Sequence, residues 1–275
     1  ASIVLVYLLL NLAYIYLVPL PEMAASPLIV DDKVIVLPGG MSGKSVVAYN
    51  KLTGAPVWKA ESDRQAYVSP MLVTLAGRRQ ILIVSSSRVF GLVPEDGSLL
   101  WSQPWDTDMG INVSQPLVVD QNRFFISSGY GKGAALMEVT GTGSSLQARA
   151  VWTNINMKNK FNSSVLHDGH VYGLDEGILT CLDVKTGERK WKGGRYGNGQ
   201  LVLLPDQDLM LVLSEEGELA LVKATPDQFT ELARFPAIEG KTWNHPVLVG
   251  DVLLVRNGEE MAAFRLSLAG HNRPS

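Results

Sequence analysis

From Ser26 onward the chain alternates short apolar runs with turn residues. Pro27-Leu28-Ile29-Val30 is followed by Asp31-Asp32, and Val34-Ile35-Val36-Leu37 by Pro38-Gly39-Gly40. Then come Val46-Val47-Ala48-Tyr49 and Val57-Trp58. Runs of this length, rich in β-branched residues and bounded by Gly, Pro, Asn and Asp, predict strands joined by tight turns. No segment keeps a helical period over ten residues.

The same four-strand cycle returns along the chain. A second unit runs from Pro70 through Ile81-Leu82-Ile83-Val84 and Val89-Phe90-Gly91-Leu92 to Trp101. A third runs from Pro116 to Trp152, a fourth from Ser164 to Trp191 and a fifth from Gln200 to Phe235. A sixth starts at Pro246 and reaches Met261-Ala262-Ala263-Phe264 without a fourth strand. A local motif marks the cycle. Lys51-Leu52-Thr53-Gly54 leads to Trp58, Pro94-Glu95-Asp96-Gly97 to Trp101, and Lys185-Thr186-Gly187 to Trp191. Four strands per roughly 40–50 residues is the period of a propeller blade. A twisted four-stranded sheet cannot bury both faces alone, and radial packing of blades buries them. The fold expected is all-β: a propeller of about six four-stranded blades, or a truncated seven- or eight-bladed ring.

Val47-Ala48-Tyr49-Asn50-Lys51-Leu52-Thr53-Gly54 to Trp58, and Thr180-Cys181-Leu182-Asp183-Val184-Lys185-Thr186-Gly187 to Trp191, resemble the quinoprotein-type β-propeller repeat. The span from Ser26 to Ser267 is similar to the bacterial family of pyrroloquinoline-quinone-like repeats, which includes the propeller lipoprotein of the outer-membrane barrel-assembly machinery. The resemblance implies a non-catalytic scaffold in the periplasm or cell envelope that binds a protein or small ligand at its rim or central channel. Its alternative is a quinone-dependent alcohol or sugar dehydrogenase using pyrroloquinoline quinone with Ca²⁺. Such dehydrogenases usually set adjacent cysteines against the cofactor, and some carry a haem motif with two more. The single Cys181 supplies neither, so no cofactor is expected. A fold hosts many activities, and the motif specifies fold more than function.

The repeated tryptophans read as structural: each is expected between neighbouring blades, its indole N–H bonded to a backbone carbonyl. The net charge of −3 and pI near 5.8 give no basis for a nucleic-acid partner. Residues 1–23 differ from the rest. Ser2 to Leu20 is uncharged and long enough to cross a bilayer as a helix, yet no basic residues precede it. It admits two readings, a membrane or signal segment with membrane association through residues 2–20, or a strand closing the incomplete last blade. The organisation expected is thus an apolar segment 1–23, a propeller 24–267 and a tail 268–275.

Candidate chemistry is sparse. Ser128-Gly129-Tyr130-Gly131-Lys132-Gly133 lacks phosphate-loop spacing and reads as a hairpin turn. His167 and His170 flank Asp168-Gly169, and His271 lies in the tail; none shows metal-ligand spacing. No metal site and no catalytic residue is assigned. Acidic residues at Asp31-Asp32, Asp106, Asp108, Asp206, Asp208, Glu215-Glu216 and Glu259-Glu260 read as solvated turns. His245 precedes Pro246 at the start of an innermost strand, and Ser26, Ser69, Gln115, Asn162 to Ser164 and Gln200 hold equivalent positions. The candidate ligand-binding set is Arg64, Asn112, Tyr130, Lys132, Asn162, Trp243 and His245.

Overall fold

A computed structural model describes residues 25–143 and 145–266. The apolar segment 1–23, its membrane and blade-closing readings, and the tail 268–275 with His271 lie outside the described residues. Among those described, six antiparallel sheets follow one another along the chain, each built in sequence order. They comprise β1 (Leu28–Val30) to β4 (Pro56–Ala60), β5 (Met71–Leu75) to β8 (Leu99–Pro104), and β9 (Leu117–Val118) to β12 (Gln147–Asn154). Then come β13 (Val165–His167) to β16 (Arg189–Arg195), β17 (Gln200–Leu204) to β20 (Glu231–Pro236), and β21 (Val247–Val249) to β23 (Met261–Arg265). The sixth sheet has three strands among the described residues, where the others have four. This is the all-β propeller that the repeat predicts. None of the described helices is long and apolar enough to cross a membrane.

The core lies between sheets. In β6 (Arg78–Val84), Ile81 and Ile83 pack toward Val30, Ile35 and Trp58 of the first sheet. Leu82 and Val84 of the same strand pack toward Phe124 and Ile126 of the third. Successive side chains on a strand point to opposite faces. A strand sandwiched on both faces must therefore read as a continuous apolar run. Equivalent clusters join the third sheet to the fourth, the fourth to the fifth and the fifth to the sixth.

The repeat motif has a mechanical basis. Asn50 Oδ1 accepts from the backbone N–H groups of Leu52 and Thr53, both at 3.0 Å, and Asp183 Oδ1 accepts from Lys185 and Thr186 at 2.8 and 2.9 Å. The turn glycine then donates back to the first residue, Gly54 to Asn50 O at 2.9 Å and Gly187 to Asp183 O at 2.8 Å. Side-chain capping of this kind is why Asn, Asp and Thr recur in turns. The tryptophans staple consecutive sheets. Trp58 Nε1 donates to Pro94 O, Trp152 Nε1 to Val184 O and Trp191 Nε1 to Thr225 O.

Trp101 departs from the expected pattern. It is buried, but its indole donates to Gln80 Oε1 within its own sheet, while its ring tilts against Phe124 of the third. The third sheet lacks the Asp-x-x-Thr-Gly turn between its outer strands, having Thr140-Gly141-Thr142-Gly143 instead. A fully buried glutamine supplies the acceptor there.

Candidate functional site: the face of the inter-sheet connections

Strands alternate in direction, so two sets of loops share one face. One set connects each sheet to the next; the other joins the second and third strands of a sheet. Hydrogen bonds tie the sets together: Ser86 N to Arg64 O, Glu176 N to Lys158 O, Tyr196 N to Gly177 O, Glu215 N to Tyr196 O and Thr242 N to Glu215 O. The starts of the innermost strands form a second belt. Ser26 N donates to Ser69 Oγ, Gln115 Nε2 to Ser69 O and Gln115 N to Ser163 Oγ. Gln200 Nε2 extends this belt by donating to Phe161 O at 2.9 Å and Trp243 O at 3.1 Å. The aligned positions from Ser26 to Gln200 are thus physically linked from sheet to sheet.

The seven sequence candidates lie in this loop system, in different roles. Asn112 is buried and committed: its amide donates to Ser85 O and Trp105 O, and its Oδ1 accepts from Ser128 Oγ. Asn162 is buried too. Arg64 and His245 are exposed, the His245 Nδ1 lying 2.8 Å from Pro246 O. Lys132 pairs with Asp106 at 3.2 Å and lies over the Trp105 ring. Tyr130 sits in the β10–β11 turn (Arg123–Ser128 to Gly133–Thr140) at φ 55, confirming the hairpin reading of that segment, and its ring lies under Lys160.

Trp243 is the centre of the most developed cluster. It is 45% exposed, large for an indole in a folded chain. Its ring lies 4.8 Å from that of Phe161, and Lys241 Nζ sits 4.1 Å above it. Its Nε1 donates to Glu215 Oε1 at 2.7 Å. Glu215 also accepts from Asn198 N at 3.0 Å and pairs with Lys241 at 3.3 Å. Burial raises the Glu215 pKa, but hydrogen bonds from the Asn198 backbone, Trp243, the Asn198 side chain and Lys241 outweigh it and hold the carboxyl at about 2. Glu215 is therefore an anchoring anion, and its reading as a solvated turn residue is corrected here. Phe161, Lys160 and Lys241 escaped sequence reasoning, and Glu215 was read differently, because the cluster is assembled from three different loops. Their only shared signal is position in the connection between sheets or in the second-to-third-strand turn.

The family-scale comparison agrees with this architecture. A family described as outer membrane protein assembly factor BamB matches residues 18–193. The chain belongs to that family. No curated protein sequence matches it. Solved structures share its fold. BamB from Moraxella catarrhalis is 14% identical with a TM-score of 0.51, over 88% of this chain and 84% of that one. The β-propeller domain of Cps50 (Swd1) from Myceliophteria thermophila is 14% identical with a TM-score of 0.55, over 85% and 80%. The quinohemoprotein alcohol dehydrogenase ADHIIG from Pseudomonas putida HK5 is 13% identical with a TM-score of 0.51, over 75% of this chain and 40% of the enzyme. At such identities the likeness is one of fold.

Proposed function

We propose that this BamB-family propeller is a non-catalytic scaffold of the bacterial cell envelope that holds a protein partner on its connection face, as part of outer-membrane protein assembly. The observation that supports this most is the Trp243 cluster. An exposed indole braced by Phe161, Lys241 and Glu215 is a rigid aromatic anchor that loses little conformational entropy on binding. The family description supports the assembly role and an envelope location.

The quinone-dehydrogenase alternative fits these residues poorly. The one cysteine, Cys181, is fully buried between the fourth and fifth sheets and cannot flank a quinone. Many carboxylates of the connection face are already paired, Asp63 with Arg88, Asp175 with Lys158 and Lys192, and Glu215 with Lys241.

The test is photo-crosslinking in a bacterial envelope from a reactive residue at position 244 beside Trp243, followed by mass spectrometry. The expected result is one reproducible protein adduct, lost in Trp243→Ala while the melting temperature stays within a few degrees of the parent. An adduct unaffected by Trp243→Ala and Lys241→Ala together would move the site elsewhere. Dye-linked oxidation of alcohols or aldoses, with quinone and Ca²⁺ supplied, would revive the enzyme reading.

A further inference from the structure

On the face opposite the connections, a histidine and two aspartates from neighbouring sheets converge. His167 ends β13, and Asp168 occupies the following turn at φ 44. Asp208 ends the short 3₁₀ turn Pro205–Gln207 between β17 and β18 (Leu209–Leu213), at φ 52. His167 Nε2 lies 2.6 Å from Asp208 Oδ1 and 3.8 Å from Asp168 Oδ2, and the three groups offer ligand atoms all within 4.8 Å of one another. We propose that His167, Asp168 and Asp208 form a divalent transition-metal site that ties the fourth sheet to the fifth.

The geometry is close to what an ion needs. Zinc–nitrogen and zinc–oxygen bonds are about 2.0–2.2 Å, which sets ligand atoms of a tetrahedral site roughly 3.4 Å apart. The observed separations of 2.6 and 3.8 Å bracket that spacing, so modest side-chain rotation brings the set to it. Each ligand rides on a fixed backbone. His167 pairs with His170 in the β13–β14 ladder (β14, His170–Asp175), and the His170 ring nitrogen Nδ1 lies 2.8 Å from Asp168 O. Leu204 pairs with Leu209 around the second turn, and Ala224 N donates to Asp208 O at 2.8 Å. The imidazole is mostly covered, at 10% exposed, whereas Asp168 and Asp208 are 85% and 71% exposed. An ion can reach the carboxylates from solvent without the fold opening, and water can complete its coordination.

One imidazole with two carboxylates suits zinc, cobalt, nickel or manganese better than Ca²⁺ or Mg²⁺, which prefer all-oxygen shells. The first and second sheets show the contrasting arrangement. There Asp31 takes a bidentate hydrogen-bonded pair from Arg79, at 2.8 and 2.9 Å, and a guanidinium is no metal ligand. The histidine at the fourth-to-fifth junction exchanges that closed pair for a set that binds metal. No spacing within the sequence displays it, because Asp208 lies 41 positions from His167.

The test is isothermal titration of the metal-free, tag-free full chain with Zn²⁺ alone, paired with thermal melting. We expect saturable binding of about one equivalent and a melting temperature that rises with Zn²⁺. His167→Gln keeps a hydrogen-bond donor toward Asp208 but loses the imidazole ligand. His167→Gln and Asp208→Asn should each weaken Zn²⁺ by about tenfold or more and abolish the thermal shift, while Asp206→Asn in the same turn leaves both unchanged. Equal Zn²⁺ binding by the parent and both ligand variants would overturn the proposal. So would absence of saturable binding in the parent, leaving His167–Asp208 as an inter-sheet hydrogen bond only.

Discussion

Trp58 of the first sheet donates its indole N–H to the carbonyl of Pro94 in the second, at 3.2 Å, and its six-membered ring lies against the turn glycine Gly97. Two halves of one motif thus meet across a sheet boundary: the tryptophan ending one repeat and the glycine turn preceding the next tryptophan. A Cβ built on Gly97 would sit 2.6 Å from Trp58 Cε3. Gly54 holds the same motif position at nearly the same φ, 71 against 75, and meets nothing within 4 Å.

This pair yields a controlled comparison. Gly54→Ala carries only the left-handed backbone strain, about 1–2 kcal/mol. Gly97→Ala carries that strain and displaces a buried indole, adding about 1–3 kcal/mol of overpacking. Trp58→Ala and Trp101→Ala should each cost about 3–5 kcal/mol, as for other large buried aromatics. Urea melts of the four variants check this, and a Gly97→Ala no worse than Gly54→Ala would refute the packing argument.

Cys181 should behave as a small hydrophobe. It is fully buried among Tyr172, Leu179 and Met210, and burial pushes its thiol up to about 12. A thiol without thiolate is a poor nucleophile. Ellman's reagent should therefore leave the native chain unmodified at pH 8 and label it only as urea unfolds it. Rapid stoichiometric labelling in buffer would show an opening of the fourth sheet.

The blade order, the strand centres and the structural role of the tryptophans were legible in the sequence because they rest on local signals. Apolar runs between turns, and Asn50 or Asp183 capping its own turn, are properties of fewer than about ten consecutive residues. Trp101 was misjudged because its hydrogen-bond acceptor depends on the neighbour's loop. That loop lacks the motif, and Gln80 answers from β6, two strands away in the same sheet. The Trp243 cluster and the His167–Asp208 pair were invisible for a related reason. Their members share no spacing, only the face onto which successive sheets deliver their loops.

Asp63 should matter more than its loop position suggests. It is 8% exposed at the side chain and accepts from Arg88 Nε at 3.0 Å, with Ser85 and Ser87 hydroxyls each at 3.3 Å. Arg88 also reaches Glu61, so this network locks the first sheet to the second. Asp63→Ala leaves a three-quarters-buried guanidinium short of its main partner, a change that typically costs about 3–5 kcal/mol. Arg79→Ala, which breaks an exposed, solvent-screened pair with Asp31, should move the midpoint far less. Comparable losses from both, read from denaturant midpoints, would contradict the role given to burial.

Glu215 supplies the last prediction, because its carboxyl reports the integrity of the Trp243 cluster. Its pKa is held at about 2 against an ordinary 4.5. A carboxyl depressed in the folded state stabilises the fold fully above its unfolded pKa, and that contribution is lost as pH falls through the folded one. The cluster should therefore be intact at pH 5 and above, and should weaken between about pH 4.5 and pH 2. Carbon-13 NMR of the Glu215 carboxyl should show a midpoint near 2. Trp243→Phe removes the indole donor at 2.7 Å, and Lys241→Ala removes the cation at 3.3 Å. Both variants should raise the midpoint, and the double variant should raise it furthest, since the two groups share Glu215 Oε1. A parent midpoint at 4.5, insensitive to either change, would mean that Trp243 is not braced in solution and would remove the rigid anchor on which the proposed binding face depends.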